Sequence, residues 1–233
     1  MTNKVNVLDK GYVRLVDVMG DDLRVVNAAR VSYAKESKEL TERDIRLIKF
    51  LAREGHTSPF RHAMLSFEIY APLMIARQWW KYVVGSDHVM DAWNEASRRY
   101  ITIEPEWYIP KENEWRKKPA HSKQGSDGFV HPELGREATA RLMRQLEEGM
   151  KDYEWALEQG IAPEQARLLL PSAYGMYTPW YWTASLQSVA HLINQRTAPD
   201  AQKEFQAYAK AVYQLTRPYF EHSLKELVEH GQR

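Results

Sequence analysis

Leu65-Ser66-Phe67-Glu68-Ile69-Tyr70-Ala71-Pro72-Leu73-Met74-Ile75-Ala76-Arg77-Gln78-Trp79-Trp80-Lys81 changes its periodicity once, and that change decides the fold class. Leu65, Phe67 and Ile69 alternate with Ser66, Glu68 and Tyr70, the period of two of a half-buried strand that ends near Pro72. Proline suits the first turn of a helix, and Leu73, Ala76 and Trp80 then recur at helical spacing. A strand feeding a helix, in a chain whose remaining segments are mostly helical, predicts a single α+β domain over residues 1–233. It should have a mixed sheet and several long helices, with helix predominating.

Toward the N-terminus, Val5, Val7 and Leu8, then Val13, Leu15 and Val16 after Gly11, suit a β-hairpin. Asp21 or Asp22 can cap a helix running toward Val31. Thr41-Glu42-Arg43-Asp44 resembles a capping box, and Ile45, Ile48, Leu51 and Ala52 follow at helical spacing until Gly55. Toward the C-terminus, residues 111–131 are polar, with Pro119, Gly125 and Gly128, and read as a mobile surface excursion. Ala138, Leu142, Leu146, Met150, Tyr153 and Leu157 then step along one face of a long helix that stops near Gly160. Pro163 opens a short helix. The aromatics Tyr174, Tyr177, Trp180, Tyr181 and Trp182 precede a helix expected from Thr183 to Arg196, and Ala201 to Val228 reads as one helix kinked at Pro218.

Composition excludes several classes of function. Lys and Arg number 32 against 31 Asp and Glu, so nothing draws the chain as a whole to nucleic acid or to an acidic membrane, and any anion site must be local. The absence of cysteine removes thiolate metal sites and cysteine nucleophiles. His56 and His62 have the wrong spacing for a zinc helix, so no metal site is expected. No long apolar run and no signal-peptide core appears, which reads as a cytoplasmic protein.

Without a glycine-rich phosphate cradle, a nucleotide would have to be held by side chains. Gln78 and Lys81 are three apart on one helix and can face one pocket, while Trp79 and Trp80 are either stacking surfaces or core packing. Asn94-Glu95-Ala96-Ser97-Arg98-Arg99-Tyr100 concentrates donors that suit a phosphate and a base edge, or else forms a solvated helix with a Glu95–Arg99 pair. Arg167, His191 and Arg196 are open to both functional and structural readings.

Ordered blocks along most of the chain resemble the flavin-dependent thymidylate synthases. They run from Leu8-Asp9-Lys10-Gly11 through Ala28-Ala29-Arg30-Val31-Ser32, Gly55-His56-Thr57-Ser58-Pro59-Phe60 and Ala76-Arg77-Gln78-Trp79. Asn94-Glu95, Ser97, Arg99-Tyr100, Ala166-Arg167 and Arg196 continue the series. The resemblance implies a homotetramer with FAD and dUMP sites shared between subunits. It also implies transfer of a methylene group from 5,10-methylenetetrahydrofolate to C5 of dUMP, with NADPH reducing the flavin. The missing cysteine fits, because the unrelated thymidylate synthases attack the pyrimidine with a thiolate.

By the same resemblance, dUMP would be held by Gln78, Trp79, Trp80, Lys81, Glu95, Ala96, Ser97, Arg98, Arg99 and Arg167. Arg196 would stabilise the uracil after loss of its N3 proton and is the expected catalytic residue. FAD would be met by Ser58, Lys81, His88, Glu95, Ser185, Gln187 and His191, although Ser185 and Gln187 stand where the family more often has Asn and Arg. The family's Arg-His-Arg segment is not intact. Counted forward it becomes Lys81-Tyr82-Val83, and counted back from Asn94 it becomes Asp87-His88-Val89. The competing reading is a relative that keeps the nucleotide pocket but has lost catalysis.

Overall fold

The N-terminal hairpin is built as the alternation predicts: β1 (Lys4–Val7) pairs antiparallel with β2 (Gly11–Met19), Val7 opposite Gly11. The turn glycine is sterically required. A Cβ on Gly11 would overlap the Tyr208 hydroxyl and lie 2.7 Å from the Tyr70 carbonyl oxygen. This computed structural model describes residues 3–84, 92–96, 105–122, 124–170 and 173–228.

Asp21 caps α1 (Asp22–Arg30) by accepting from the Arg24 amide at 3.0 Å. The Thr41/Asp44 capping box opens α2 (Glu42–Arg53). Asp44 is buried and gathers Thr41, Ser37 and Arg30 around its carboxylate. β3 (Met64–Pro72) passes directly into α3 (Leu73–Val84), followed by the short β4 (Ala92–Glu95).

The polar excursion is less free than its composition predicts. It folds back as a small hairpin of β5 (Arg116–Lys117) and β6 (Asp127–Phe129), and Trp115 Nε1 donates to Thr139 Oγ1 at 2.8 Å on α4 (Pro132–Glu158). At Gly135 any side chain would overlap the Glu112 carbonyl oxygen, so the glycine lets this segment press against the helix.

After α5 (Pro163–Ala166) comes the main departure from expectation. Residues Tyr177–Ser185 form a strand, β7, and the helix α6 starts only at Leu186 and runs to Arg196. Trp180, Trp182 and Ala184 are buried while Pro179, Tyr181 and Thr183 face the other way, a period of two hidden because aromatic residues occupy both faces. The C-terminal segment is two helices, α7 (Lys203–Thr216) and α8 (Glu221–Leu227), because Pro218 breaks the chain instead of bending one helix.

The five strands of the main sheet lie in the order β1-β2-β3-β7-β4, and every pairing among the described residues is antiparallel. On one face, Leu65, Phe67 and Ile69 align with Ala184, Trp182 and Trp180, and α6 and α7 close over them to form the core with Val189, Ile193, Phe205 and Val212. The opposite face is polar: Glu68 accepts from Tyr12 Oη at 2.7 Å and from Arg14 Nε at 2.6 Å. The architecture is α+β with helix predominating. No helix of the described residues is long and apolar enough to cross a membrane.

Candidate functional site

The site begins with the placement of Trp79. It is fully buried, stacked on Phe205 with ring centroids 5.4 Å apart and met edge-on by Trp180 and Trp182 at 5.5 and 5.4 Å. With Trp79 turned into the core, Gln78 falls on the flank of α3 that faces the end of α6.

Arg196, the last residue of α6, projects into the same place, where a cation complements the helix C-terminus. Its Nε donates to Tyr82 Oη at 2.7 Å and its Nη1 to Gln78 Oε1 at 3.4 Å. Its guanidinium lies 5.1 Å from the Phe205 ring centre and 5.4 Å from that of Tyr82. Gln78 Nε2 donates to Gln202 Oε1 at 2.6 Å, and Gln202 Nε2 donates to Glu204 Oε2 at 3.1 Å. The chain of contacts closes on the excursion, where Arg116 Nη2 donates to the buried Glu204 carboxylate at 2.5 Å.

Tyr82 is 6% exposed. Burial pushes its hydroxyl above the ordinary phenol value, and the Arg196 guanidinium works in the opposite direction. A protonated Tyr82 can accept from Arg196 while donating to Gln195 Oε1 at 2.8 Å. Gln78, Gln195, Arg196 and Gln202 line an open cavity of about 570 Å³, together with Gln124 and Asp200.

A second cavity, of about 610 Å³, opens on another side of α3, between Arg77, Trp80, Trp93, Glu95 and Tyr174. Trp80 is 41% exposed and meets Trp93 edge-on at 5.2 Å. Glu95 accepts from Thr178 Oγ1 at 3.1 Å, and the Ala96 amide donates to the Pro179 carbonyl at 3.0 Å.

A third polar group lies at the start of α6. The turn Ser58–His62 packs there, pinned where the Leu186 amide donates to the Ala63 carbonyl at 2.9 Å. Arg61 Nε donates to Gln187 Oε1 at 2.9 Å, and His191, one helical turn further on, meets the Tyr82 ring edge-on at 5.8 Å.

A family model described as thymidylate synthase complementing protein matches residues 14–220. This chain belongs to that family. Among curated relatives, a flavin-dependent thymidylate synthase of Thermus thermophilus is 40% identical over 213 residues, covering 91% of this chain and 74% of that one. The enzyme of the same name from Thermosipho africanus is 40% identical over 203 residues, covering 87% and 84%. Among solved structures, the UMP/dUMP methylase PolB from Streptomyces cacaoi bound with 5-Br dUMP superposes with a TM-score of 0.80 at 27% identity, over 95% of this chain and 96% of that one.

The residues expected to act together are dispersed in the fold. Gln78 and Arg196 share one cavity, Trp80 and Glu95 line another, and Lys81 is exposed and lines neither. Arg167 is exposed, its Nε donating to the Glu164 carbonyl at 3.3 Å, and shares no hydrogen bond with Gln78 or Arg196 among the described residues. Ser58 is exposed, as are Ala96 and His191.

Trp79 is a core residue, its ring packed among Phe205, Trp180 and Trp182. Ser185 is 1% exposed because its hydroxyl caps α6, accepting from the Ser188 amide at 3.2 Å. His88, Ser97, Arg98 and Arg99 lie outside the described residues.

Sequence reasoning missed Tyr82, Gln202, Glu204 and Arg116. The single signal was that Tyr82 stands where the family segment would place a histidine; Arg116 and Glu204 meet only through the fold.

Proposed function

We propose that this chain methylates dUMP to dTMP, taking the carbon from 5,10-methylenetetrahydrofolate and the reducing equivalents from NADPH by way of FAD. The observation that carries this reading is Arg196, a permanent cation fixed by Tyr82 and Gln78 on the wall of an open cavity. The names of the relatives, and the dUMP analogue in the PolB structure, support the same substrate class.

A guanidinium stays charged at any working pH, so Arg196 can hold the uracil as its N3 anion and raise the electron density at C5. Gln78 offers an amide beside it, fixed through Gln202, that can read the edge of the base. FAD, when bound, would supply the two electrons that reduce the transferred methylene to a methyl group.

Ser58, Gln187 and His191, exposed or half-buried along one edge of α6 and its adjoining turn, present the polar groups a flavin would need. The dispersal of Trp80, Glu95 and Arg167 away from Arg196 suits sites completed between subunits of a homotetramer in the cytoplasm.

The altered segment Lys81-Tyr82-Val83 favours a second reading, a nucleotide-binding relative without turnover. One experiment separates the two. Purified protein given dUMP tritiated at C5, methylenetetrahydrofolate and NADPH should carry flavin absorbance, release tritium and form dTMP. A colourless protein that binds dUMP in a calorimeter but releases no tritium would refute the first reading.

A further inference from the structure

We propose that Arg61 is an anion-holding residue of the flavin site, taking the diphosphate of FAD in place of the arginine that the family more often carries at position 187. This deepens the proposed function and rests on it. Arg14, Arg30 and Arg116 are neutralised, pairing with Glu68, Asp44 and Glu204. Arg61 instead engages two neutral oxygens, Gln187 Oε1 at 2.9 Å and Thr57 Oγ1 at 3.2 Å.

Neutral acceptors fix the direction of a guanidinium without cancelling its charge. An arginine offers five N–H donors, and Arg61 commits one at Nε and one at Nη2, leaving the remainder of its fork for a ligand. A planar fork matches two oxygens of a phosphate and holds them by charge-assisted bonds.

The location supplies the ligand class. Arg61 follows Ser58 in the same turn, and its partner Gln187 stands one helical turn before His191, so the cation lies among the residues expected to meet FAD. Glutamine at 187 removes a positive charge from α6. The hydrogen bond shows that a guanidinium from the neighbouring turn now reaches the same side chain.

The test is a titration of FAD into the flavin-free full-length protein, followed by quenching of flavin fluorescence. Arg61→Ala should raise the dissociation constant roughly tenfold to hundredfold, the range expected for hydrogen bonds to a charged group. Combining Arg61→Ala with Gln187→Arg should bring it back to within about threefold of the starting value, with the thermal unfolding midpoint of each variant close to that of the parent.

A dissociation constant for Arg61→Ala less than about threefold above the parent would overturn the assignment. A loss that Gln187→Arg does not restore would overturn the exchange of positions. Failure of the unaltered protein to bind FAD would instead reject the proposed function and this inference with it, a result the parent titration gives by itself.

Discussion

Replacing Tyr82 by Phe is the most direct probe of how the proposed nucleotide site is held. The change deletes one oxygen and keeps the ring, so the contacts of that ring with His191 and with the Arg196 guanidinium survive. Lost are the bond from Arg196 Nε at 2.7 Å and the bond to Gln195 Oε1 at 2.8 Å. The second matters little, because Gln195 is exposed and water can replace the phenol. The first is a bond to a charged donor inside a 6%-exposed tyrosine pocket, a class of interaction that contributes about 1.5–3 kcal/mol. At about 1.4 kcal/mol for each factor of ten, that range corresponds to roughly 10- to 150-fold. Arg196 is half-buried and keeps Gln78 at 3.4 Å, so the lower part applies, a loss of about 10- to 30-fold in kcat/KM for dTMP formation. Initial rates at varied dUMP on flavin-loaded protein measure it. A variant within about twofold of the parent would refute the claim that Tyr82 positions Arg196.

Arg196→Ala should keep its flavin absorbance yet lose at least about 100-fold in turnover, because it removes the charge opposite the ionised base; unchanged tritium release would reject that role. Glu204→Gln keeps the size of the side chain but turns the Arg116 ion pair into a neutral contact and loosens Gln202, so KM for dUMP should rise several-fold with kcat little changed. A fall in kcat alone would place Glu204 elsewhere in the cycle. Acid stability depends on Asp44: burial raises its carboxyl value, but hydrogen bonds from Thr41, Ser37 and Arg30 outweigh burial and leave it below the ordinary 3.8. The folded form therefore binds the proton less readily than the unfolded chain. The stabilisation is present above that value and is lost as pH falls through the lower folded one. Urea unfolding compared near pH 6 and pH 3 should show a loss that shrinks in Asp44→Asn, and an equal loss in both proteins would exclude Asp44 as its source.

What could be read from the sequence follows from how local each signal is. The capping box at Thr41–Asp44 and the change of period at Pro72 are written in adjacent residues, and both elements start where they indicate. β7 could not be read the same way. Its outward positions hold Pro179 and Tyr181 instead of small polar residues, and a proline within a run argues against an interior strand. What makes it a strand is pairing with β3, whose residues lie more than a hundred positions earlier. The site divides along the same line. Gln78 and Arg196 stand out because of their chemical type, whereas Gln202, Glu204 and Arg116 acquire a role only when α7 and the excursion hairpin are brought against α3.

The helix α6 ties the proposed nucleotide end of the site to the proposed flavin end, and its packing determines how strongly they can influence each other. Gln187 and Arg196 are separated by nine residues, about 13 Å along the axis at ~1.5 Å per residue. Between them Val189, Ala190, Leu192 and Ile193 are buried against the sheet, so the helix cannot tilt to transmit a disturbance without opening the core. Arg61 grips one end of the exposed edge and Tyr82 the other, with His191 touching only the second. Sites that far apart on a rigid element, with no shared partner, contribute independently to within about 0.5 kcal/mol. The effects of Arg61→Ala and Tyr82→Phe on the free energy of catalysis should therefore add, and kcat/KM measured at subsaturating FAD on both single variants and the double would test this. A coupling above about 1 kcal/mol would mean that the two ends communicate. Tyr82 would then have to act on the flavin through His191 as well as on the base through Arg196.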